Sequence, residues 1–266
     1  MIFTLANIIA ALLYAALAAS LTTQLIRKTT TNLHYFLGGI AVTLGFHAAG
    51  IYGVNVKEDG VQLSFFAMFS LMFWVINALV LLSSLKKPLH NLFIFLLPLS
   101  ALAIVAATLS HSTSSIYQLN FELASHVVLS ILAWSLLAIA TLQALLLAYQ
   151  NHQLKSKANL HYLRYLPPLQ TMEALLFEFV LVGEILLTLS IVTGFIFLEN
   201  IFAQHLAQKT ALSIAAWFVY AFLLIGKYKL GWRGNTAIRW TLAGFLFLLL
   251  AYFGSKLVLE IILHRV

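Results

Sequence analysis

Long apolar runs recur along the whole chain and are separated by short polar segments. An α-helix needs about 20 residues to cross the hydrocarbon core of a bilayer. Eight such runs lie at about 2–25, 33–54, 62–85, 89–109, 123–149, 174–197, 210–226 and 237–263. The seventh is the shortest. The first positive charges, Arg27 and Lys28, follow the first run, so we expect a transmembrane helix there and no cleavable signal peptide. The pattern predicts an all-α bundle of eight transmembrane helices, forming a single transmembrane domain over residues 1–266.

Composition supports a polytopic protein embedded in the lipid bilayer. Of 266 residues, 62% are hydrophobic and only 9% are charged, whereas soluble domains carry about 25% charged residues. The net charge of +7 comes from lysines and arginines in short segments between apolar runs. That distribution is a signal of membrane topology, so we expect no nucleic-acid partner. Cysteine is absent, which excludes disulfides, thiolate metal sites and iron–sulfur clusters.

The lysines and arginines also predict the orientation of the chain. Eleven of them fall in the segments after the odd-numbered runs: Arg27, Lys28, Lys86, Lys87, Lys155, Lys157, Arg164, Lys227, Lys229, Arg233 and Arg239. The segments on the other side hold three, Lys57, Lys209 and Arg265, and Lys256 lies within the last run. Because positive segments stay on the cytoplasmic side, we expect both termini outside and the protein in the inner (plasma) membrane.

Three of the nine histidines fall at similar depth near the predicted outer face. His47 lies in the outer half of the second run, His126 at the outer start of the fifth and His264 at the outer end of the eighth. Glu122 precedes His126 by four residues, and Glu260 precedes His264 by the same step. Residues four apart share a helix face. His126 and His264 are therefore either hydrogen-bonded groups at headgroup level or ligands. His47 is either a hydrogen-bonded group between helices or a ligand.

Other polar groups have similar alternatives. Lys256 either reaches outward to the headgroups, pairs with Glu260 or contacts a bound cofactor. His205 is either an ordinary outer-loop histidine or a further ligand. Glu184 lies in the middle of the sixth run, where a carboxyl group must be protonated, paired or in a wet cavity.

Among metal sites, heme agrees best with imidazoles on different helices. The H-E-x-x-H signature of zinc hydrolases is absent, and no dense carboxylate cluster indicates calcium or magnesium. Heme needs one or two neutral imidazoles, an apolar pocket and polar or basic groups for its propionates. Among the metal sites, heme therefore agrees best with the pattern, and each imidazole stays a candidate for either role.

The second half of the chain also resembles a known family, the cytochrome c assembly proteins of the CcsA and CcmC type, and in particular their shorter YpjD-like branch. The resemblance covers roughly residues 120–266. Its motifs are His126–Trp134 (HVVLSILAW), Leu166–Glu173 (LPPLQTME), Leu187–Gly194 (LTLSIVTG), Lys209-Thr210, Trp217, Tyr220, Gly231–Gly234 (GWRG) and Tyr252–Gly254 (YFG). Their order and spacing carry the resemblance.

The resemblance implies heme handling in cytochrome c maturation, with apocytochrome or other heme-maturation proteins as partners beside the lipid bilayer. In the family, outer histidines flank a tryptophan-rich outer segment and ligate heme. His126 matches the first of these positions and His264 falls close to the second, while His47 is nearest to a transmembrane histidine of the family. Together with the predicted depth of the histidines, the resemblance implies a heme of the b type with His126 and His264 as iron ligands. The expected cofactor site consists of His126, His264, His47, His205 and Lys256, with Glu122 and Glu260 orienting the two ligand imidazoles.

One departure from the family's pattern affects the expected activity. The family's outer segment reads W-G-x-x-W-x-W-D, whereas Phe197–Gln208 contains no tryptophan. We therefore expect heme binding without independent catalytic chemistry, so not an enzyme. The alternative is an accessory subunit or a transporter for an ion or small solute, with Glu184 and the outer histidines lining its path. A transporter needs polar groups at mid-depth, and most of the histidines lie nearer the faces.

Overall fold

A computed structural model describes residues 2–27, 32–57, 60–62, 64–110, 116–117, 120–156, 166–197 and 204–254 of the chain. Almost all of these residues are helical. The helices are α1 (Ile2–Arg27), α2 (Leu33–Asn55), α3 (Phe65–Ser84), α4 (Phe93–Leu109), α5 (Phe121–Ser156), α6 (Leu169–Phe197), α7 (Gln204–Leu230) and α8 (Asn235–Leu249). A 3₁₀ turn, His90–Leu92, precedes α4, and a π-helical turn, Leu250–Gly254, continues α8.

The predicted fold class is confirmed. Within the described residues, eight helices are long and apolar enough to cross a membrane. The seventh, predicted from the shortest run, extends over 23 residues, Gln208–Leu230. The fifth continues to Ser156, seven residues beyond the predicted end at about 149, because an α-helix can project beyond the hydrocarbon core once its side chains turn polar. The part of the eighth run after Gly254 lies outside the described residues.

Polar residues fix several helix starts. The side chain of Asn32 accepts a hydrogen bond from the His34 backbone N–H at 3.0 Å, and Ser64 accepts one from Ala67. Both are residue types that cap helix N-termini well. Helix α6 begins directly after Pro167-Pro168, where Pro168 accepts from the Met172 N–H at 3.1 Å. Helix α4 contains Pro98 within its length.

The chain also contains a small sheet that the apolar pattern did not predict. Strands β1 (Val56–Lys57), β2 (Gly60–Gln62) and β3 (Ile116–Tyr117) are antiparallel in the order β1-β2-β3. Val61 pairs with Val56 on one side and with Tyr117 on the other. Strands this short carry too few residues for a period of two to be recognised in a sequence.

The chain divides into two compact units, Met1–Leu119 and Asn120–Arg265. In the first, α1 packs on α2 and α4, while α3 packs on α2 and α4. In the second, α5 packs mainly along α6 and also on α8, while α7 packs on α6 and α8. The second unit coincides with the half of the sequence that carries the family resemblance. A single domain over the whole chain stays a prediction.

Helices α7 and α8 approach closely in the second unit. Gly244 of α8 faces the fully buried ring of Tyr220, and a Cβ atom at Gly244 would lie 2.7 Å from two of its ring carbons. Trp232, in the turn between the two helices, stacks on Trp240 with ring centroids 5.8 Å apart. The glycine therefore lets Tyr220 enter the interior of the unit, where it bears on the polar groups described below.

Candidate functional site

A cavity of about 330 Å³ lies in the second unit, at the end where α5 begins and α6 ends. All four helices of the unit contribute to its wall. Its lining consists of Leu123, His126, Ser130, Trp134, Leu187, Ser190, Ile191, Gly194, Phe195, Lys209, Thr210, Ser213, Leu248, Ala251 and Tyr252. Such a volume and a largely apolar wall with a few polar groups are typical of small-molecule and cofactor sites.

His126 is the imidazole of this cavity, and its orientation is fixed by α6. Its Nδ1 atom lies 3.0 Å from the backbone oxygen of Ser190 and 3.3 Å from Oγ1 of Thr193. A carbonyl oxygen only accepts hydrogen bonds, so Nδ1 carries the proton and donates it. Nε2 is then the unprotonated nitrogen, with a lone pair available to a metal.

The serine next to Nε2 does not compete for that lone pair. The Ser130 hydroxyl donates to the backbone oxygen of His126 at 2.7 Å, which uses its single proton. Its distance to Nε2 is 3.5 Å, and it lies 2.7 Å from the Ser190 hydroxyl. Metal-binding histidines almost always donate their other ring N–H to a carboxylate, a carbonyl or water. His126 has that arrangement.

A glycine leaves room for the imidazole. A Cβ atom at Gly194 would lie 3.1 Å from Cε1 of His126, which is tighter than an ordinary van der Waals contact. Gly194 follows Ser190 by four residues on α6, so both lie on the helix face toward His126. The Ser190–Gly194 turn of α6 therefore both holds the ring and makes space for it.

The remaining wall combines aromatic and basic groups. Trp134 packs against Phe245 with ring centroids 5.3 Å apart, and Tyr252 lies on the opposite helix. The start of α7 brings Lys209, Thr210 and Ser213 to the cavity. A flat apolar ligand with anionic substituents agrees with a wall of this chemistry.

Of the predicted site residues, His126 is the one that the described part of the chain places in this cavity. His264, Lys256 and Glu260 lie outside the described residues. The backbone of His205 belongs to α7, but its side chain also lies outside them. The pairing of His126 with His264 stays a prediction.

Two expectations need correction. Glu122 does not hold the second nitrogen of His126: its side chain is exposed, and Nδ1 is held by α6 instead. The physical reason is that a buried backbone carbonyl across the helix interface lies closer than a solvated side chain one turn away. His47 lies in the first unit, where it is fully buried, with Nδ1 3.2 Å from the Tyr14 hydroxyl and Nε2 2.9 Å from the Ser70 hydroxyl. With both nitrogens hydrogen-bonded, His47 has no lone pair to offer an iron atom in this structure.

Several cavity residues were not among the predicted ligands. Lys209 and Thr210 are part of the family motif, but Lys209 was counted only as an outer-side charge. The Ser190 carbonyl leaves no signal in a sequence, since every residue has one. In the described ranges no three histidine or acidic side chains cluster to hold a metal ion.

Two buried carboxyl groups of α6 lie away from the cavity. Glu173 accepts from Arg233 Nε at 2.8 Å and from the Gly234 N–H at 3.3 Å, and Lys227 Nζ lies 3.7 Å from it. Glu184 is 6% exposed, and among the described residues neither of its carboxyl oxygens has a hydrogen-bond partner. Glu173 is thus a structural group near the start of α6, whereas the burial of Glu184 without a partner needs a separate explanation.

Comparison with known proteins identifies the family. The sequence model described as Cytochrome C assembly protein matches residues 5–263. The chain belongs to the cytochrome c assembly protein family. The match extends over both units, whereas the resemblance recognised from motifs covered the second alone.

Individual relatives match over about half of the chain. The inner membrane protein YpjD of Escherichia coli K12 is 42% identical over 137 residues, which is 52% of this chain and 52% of YpjD. An uncharacterized protein of Azospirillum brasilense is 31% identical over 140 residues, and the protein HemX of Brevibacillus brevis is 26% identical over 134 residues. The chain thus spans about half the length of the curated relatives it matches. No solved structure matches the chain. The eight helices in the described ranges that are long and apolar enough to span a membrane make this family member a multi-pass membrane protein, as predicted, and its relative YpjD is named an inner membrane protein.

Proposed function

We propose that the protein binds heme in the cavity of the second unit and takes part in heme handling during cytochrome c maturation, without catalytic chemistry of its own. The observation that carries the proposal is the hydrogen bond from His126 Nδ1–H to the Ser190 carbonyl. It leaves Nε2 unprotonated in an otherwise largely apolar cavity. Heme would supply an iron that accepts an imidazole nitrogen, a flat apolar macrocycle and two carboxylates.

The residues of the cavity match these three requirements in kind. His126 would act as the iron ligand, and Ser190 and Thr193 hold its ring in one tautomer and orientation. Trp134, Leu187 and Tyr252 provide apolar and aromatic wall for a macrocycle. Lys209 provides a positive charge for a propionate, since a charged hydrogen bond adds to binding in an apolar setting.

His264 remains the proposed second ligand, on the strength of its predicted depth and its place relative to the Tyr252–Gly254 motif. Lys256 and His205 remain proposed propionate contacts, and apocytochrome or other heme-maturation proteins remain proposed partners.

The test is the absorption spectrum of the purified protein, oxidised and reduced, after expression with ample heme. We expect a Soret band in the wild type, weaker binding in His126→Ala and loss of the band in His126→Ala with His264→Ala. The matched control is His152→Ala, since His152 is an exposed histidine at the other end of the same helix. A wild type without any Soret band would refute heme binding. Equal bands in His126→Ala and His152→Ala would refute the assigned ligand.

A further inference from the structure

A layer of four buried polar residues lies on the same helix faces as the cavity, about two turns farther from the cavity end of the second unit. Each helix of the second unit contributes one member, seven residues from a cavity-lining residue: Thr141 from Trp134, Glu184 from Ile191, Tyr220 from Ser213 and Thr241 from Leu248. Seven residues make almost two complete turns, so each pair lies on one face about 10 Å apart along the axis. All four side chains are buried, between 0% and 8% exposed. A polar layer therefore underlies the cavity at one depth.

The hydroxyl groups of this layer have already used their protons. Thr141 donates to the Leu137 backbone oxygen at 2.8 Å, and Thr241 donates to that of Ala237 at 2.8 Å. The Tyr220 hydroxyl donates to the Thr241 backbone oxygen at 3.3 Å and interacts with both Thr141 and Glu184. None of these hydroxyl groups donates a hydrogen bond to the Glu184 carboxyl group.

That arrangement suits a carboxylic acid and not a carboxylate. A carboxylate only accepts hydrogen bonds, whereas a protonated carboxyl group has an O–H to donate. A buried, unpaired carboxylate in a spanning helix is also costly. The two Glu184 oxygens lack any hydrogen-bond partner among the described residues, so nothing there stabilises a negative charge.

Glu178, six residues from Glu184 on α6, is exposed, and the other charged groups that the structure describes on these helices lie toward the two ends of the unit. Lys209 is eleven residues from Tyr220 on α7, and Glu173, with Arg233 and Lys227 beside it, is eleven residues from Glu184 on α6. Eleven residues correspond to about 16 Å of helix. His126 of α5 lies at the cavity, and Arg239 of α8 is exposed. The titratable group in the layer beside Glu184 is Tyr220.

We propose that Glu184 is a proton-binding site of the second unit: it holds a proton as a neutral carboxylic acid and exchanges it with water through the cavity. Leu187, one turn nearer the cavity on the same face of α6, forms part of the wall between them. Loss or gain of this proton changes the charge of the layer by one. The site can thereby offset the charge of whatever enters the cavity, and it does not depend on that occupant being heme.

Infrared difference spectroscopy of the purified protein tests the protonation state. We expect the wild type near neutral pH to show the C=O stretch of a protonated carboxylic acid. Glu184→Gln should remove that band, and Glu184→Asp should shift it, which keeps the test valid if the glutamine variant folds poorly. The band should persist in His126→Ala. If neither Glu184 variant alters a carboxylic acid band, the proposal is wrong.

The absence of cysteine allows the route to be tested separately. Ser213→Cys places one thiol in the cavity wall, and Val128→Cys places one on an exposed face of α5. Each purified variant is labelled at its thiol with a bulky maleimide and is then transferred to D₂O. We expect the Glu184 band to shift several-fold more slowly with the label at 213, and at the wild-type rate with the label at 128. Equal rates would refute exchange through the cavity. Because no heme is needed, either proposal can fail while the other stands.

Discussion

At the scale of single residues, the chemistry of the site depends on which imidazole nitrogens are not already engaged in hydrogen bonds. The His126 ring has one nitrogen committed to the Ser190 carbonyl and one available, whereas both nitrogens of His47 are within hydrogen-bond distance of hydroxyl groups. The same residue type therefore has different chemistry in the two units. The difference lies in the neighbours that the fold supplies.

The space left by Gly194 should be necessary for the orientation of His126. In Gly194→Ala the new methyl group would lie 3.1 Å from Cε1, so the ring must shift by a few tenths of an ångström. Overpacking of this kind costs roughly 1 kcal/mol or more. We expect heme affinity to fall about fivefold to tenfold, as measured by heme titration. Gly38→Ala is the control, because a Cβ atom there meets nothing within 4 Å. The same affinity in both variants would contradict the expected role.

Glu184 should tolerate removal of its charge but not reversal of it. Glu184→Gln keeps the size and a hydrogen-bonding end group, and it replaces a group that has no ion pair among the described residues. We expect near wild-type expression and membrane insertion. Glu184→Lys would place a cation in the same buried position and should abolish folding. Quantification of membrane-inserted protein distinguishes them, and equal losses would indicate an essential charge pair.

At the scale of elements, Glu173 ties three helices together. It stands in the first turns of α6 and contacts Lys227 at the end of α7 and Arg233 and Gly234 in the turn before α8. Gly234 has a φ of +54°, a conformation that favours glycine. The carboxylate holds the N–H of that turn, which sets where α8 begins and hence where its cavity-lining end lies.

Loss of this carboxylate should destabilise the second unit. Arg233 is 59% exposed, so the ion pair itself contributes little. The larger loss in the free energy of unfolding should come from the Gly234 N–H, which is left without its acceptor, at about 1–3 kcal/mol. We expect Glu173→Ala to lower the thermal unfolding temperature in detergent, and Glu122→Ala, which changes an exposed glutamate, to leave it within error. Indistinguishable melting curves would show that the turn is held by other contacts.

At the scale of the whole molecule, the eight helices that the structure describes as long and apolar enough to span a membrane divide into two units of four. The apolar cavity, its imidazole and the proton-binding layer proposed here all belong to the second. The first unit has its own buried polar contacts, among them Asn77 Nδ2 donating to Ser100 at 2.7 Å. Such contacts join helices inside a membrane, where the hydrophobic effect between helices is weak.

The orientation of the molecule in the membrane remains to be measured. With eleven positive residues on one side and three on the other, both termini should be outside. A reporter that is active only in the cytoplasm should be silent when fused after Val266. It should be active when inserted after Lys155, at the exposed inner end of α5. Activity at both positions would mean that the orientation or the number of spans is wrong.

The sequence alone determined the family and the number of helices that could span a membrane, and it singled out His126 as a candidate ligand. Those conclusions rest on hydrophobicity, length and motif order, which are properties of residue types along the chain. Tertiary structure decided the rest. It joined His126 to a backbone carbonyl 64 residues away, brought Lys209 to the wall of the same cavity, and put both nitrogens of His47 within reach of hydroxyl groups. It also left Glu184 without a partner among the described residues. Each of these outcomes depends on which helix faces meet, and four helices of similar hydrophobicity carry no local signal of that.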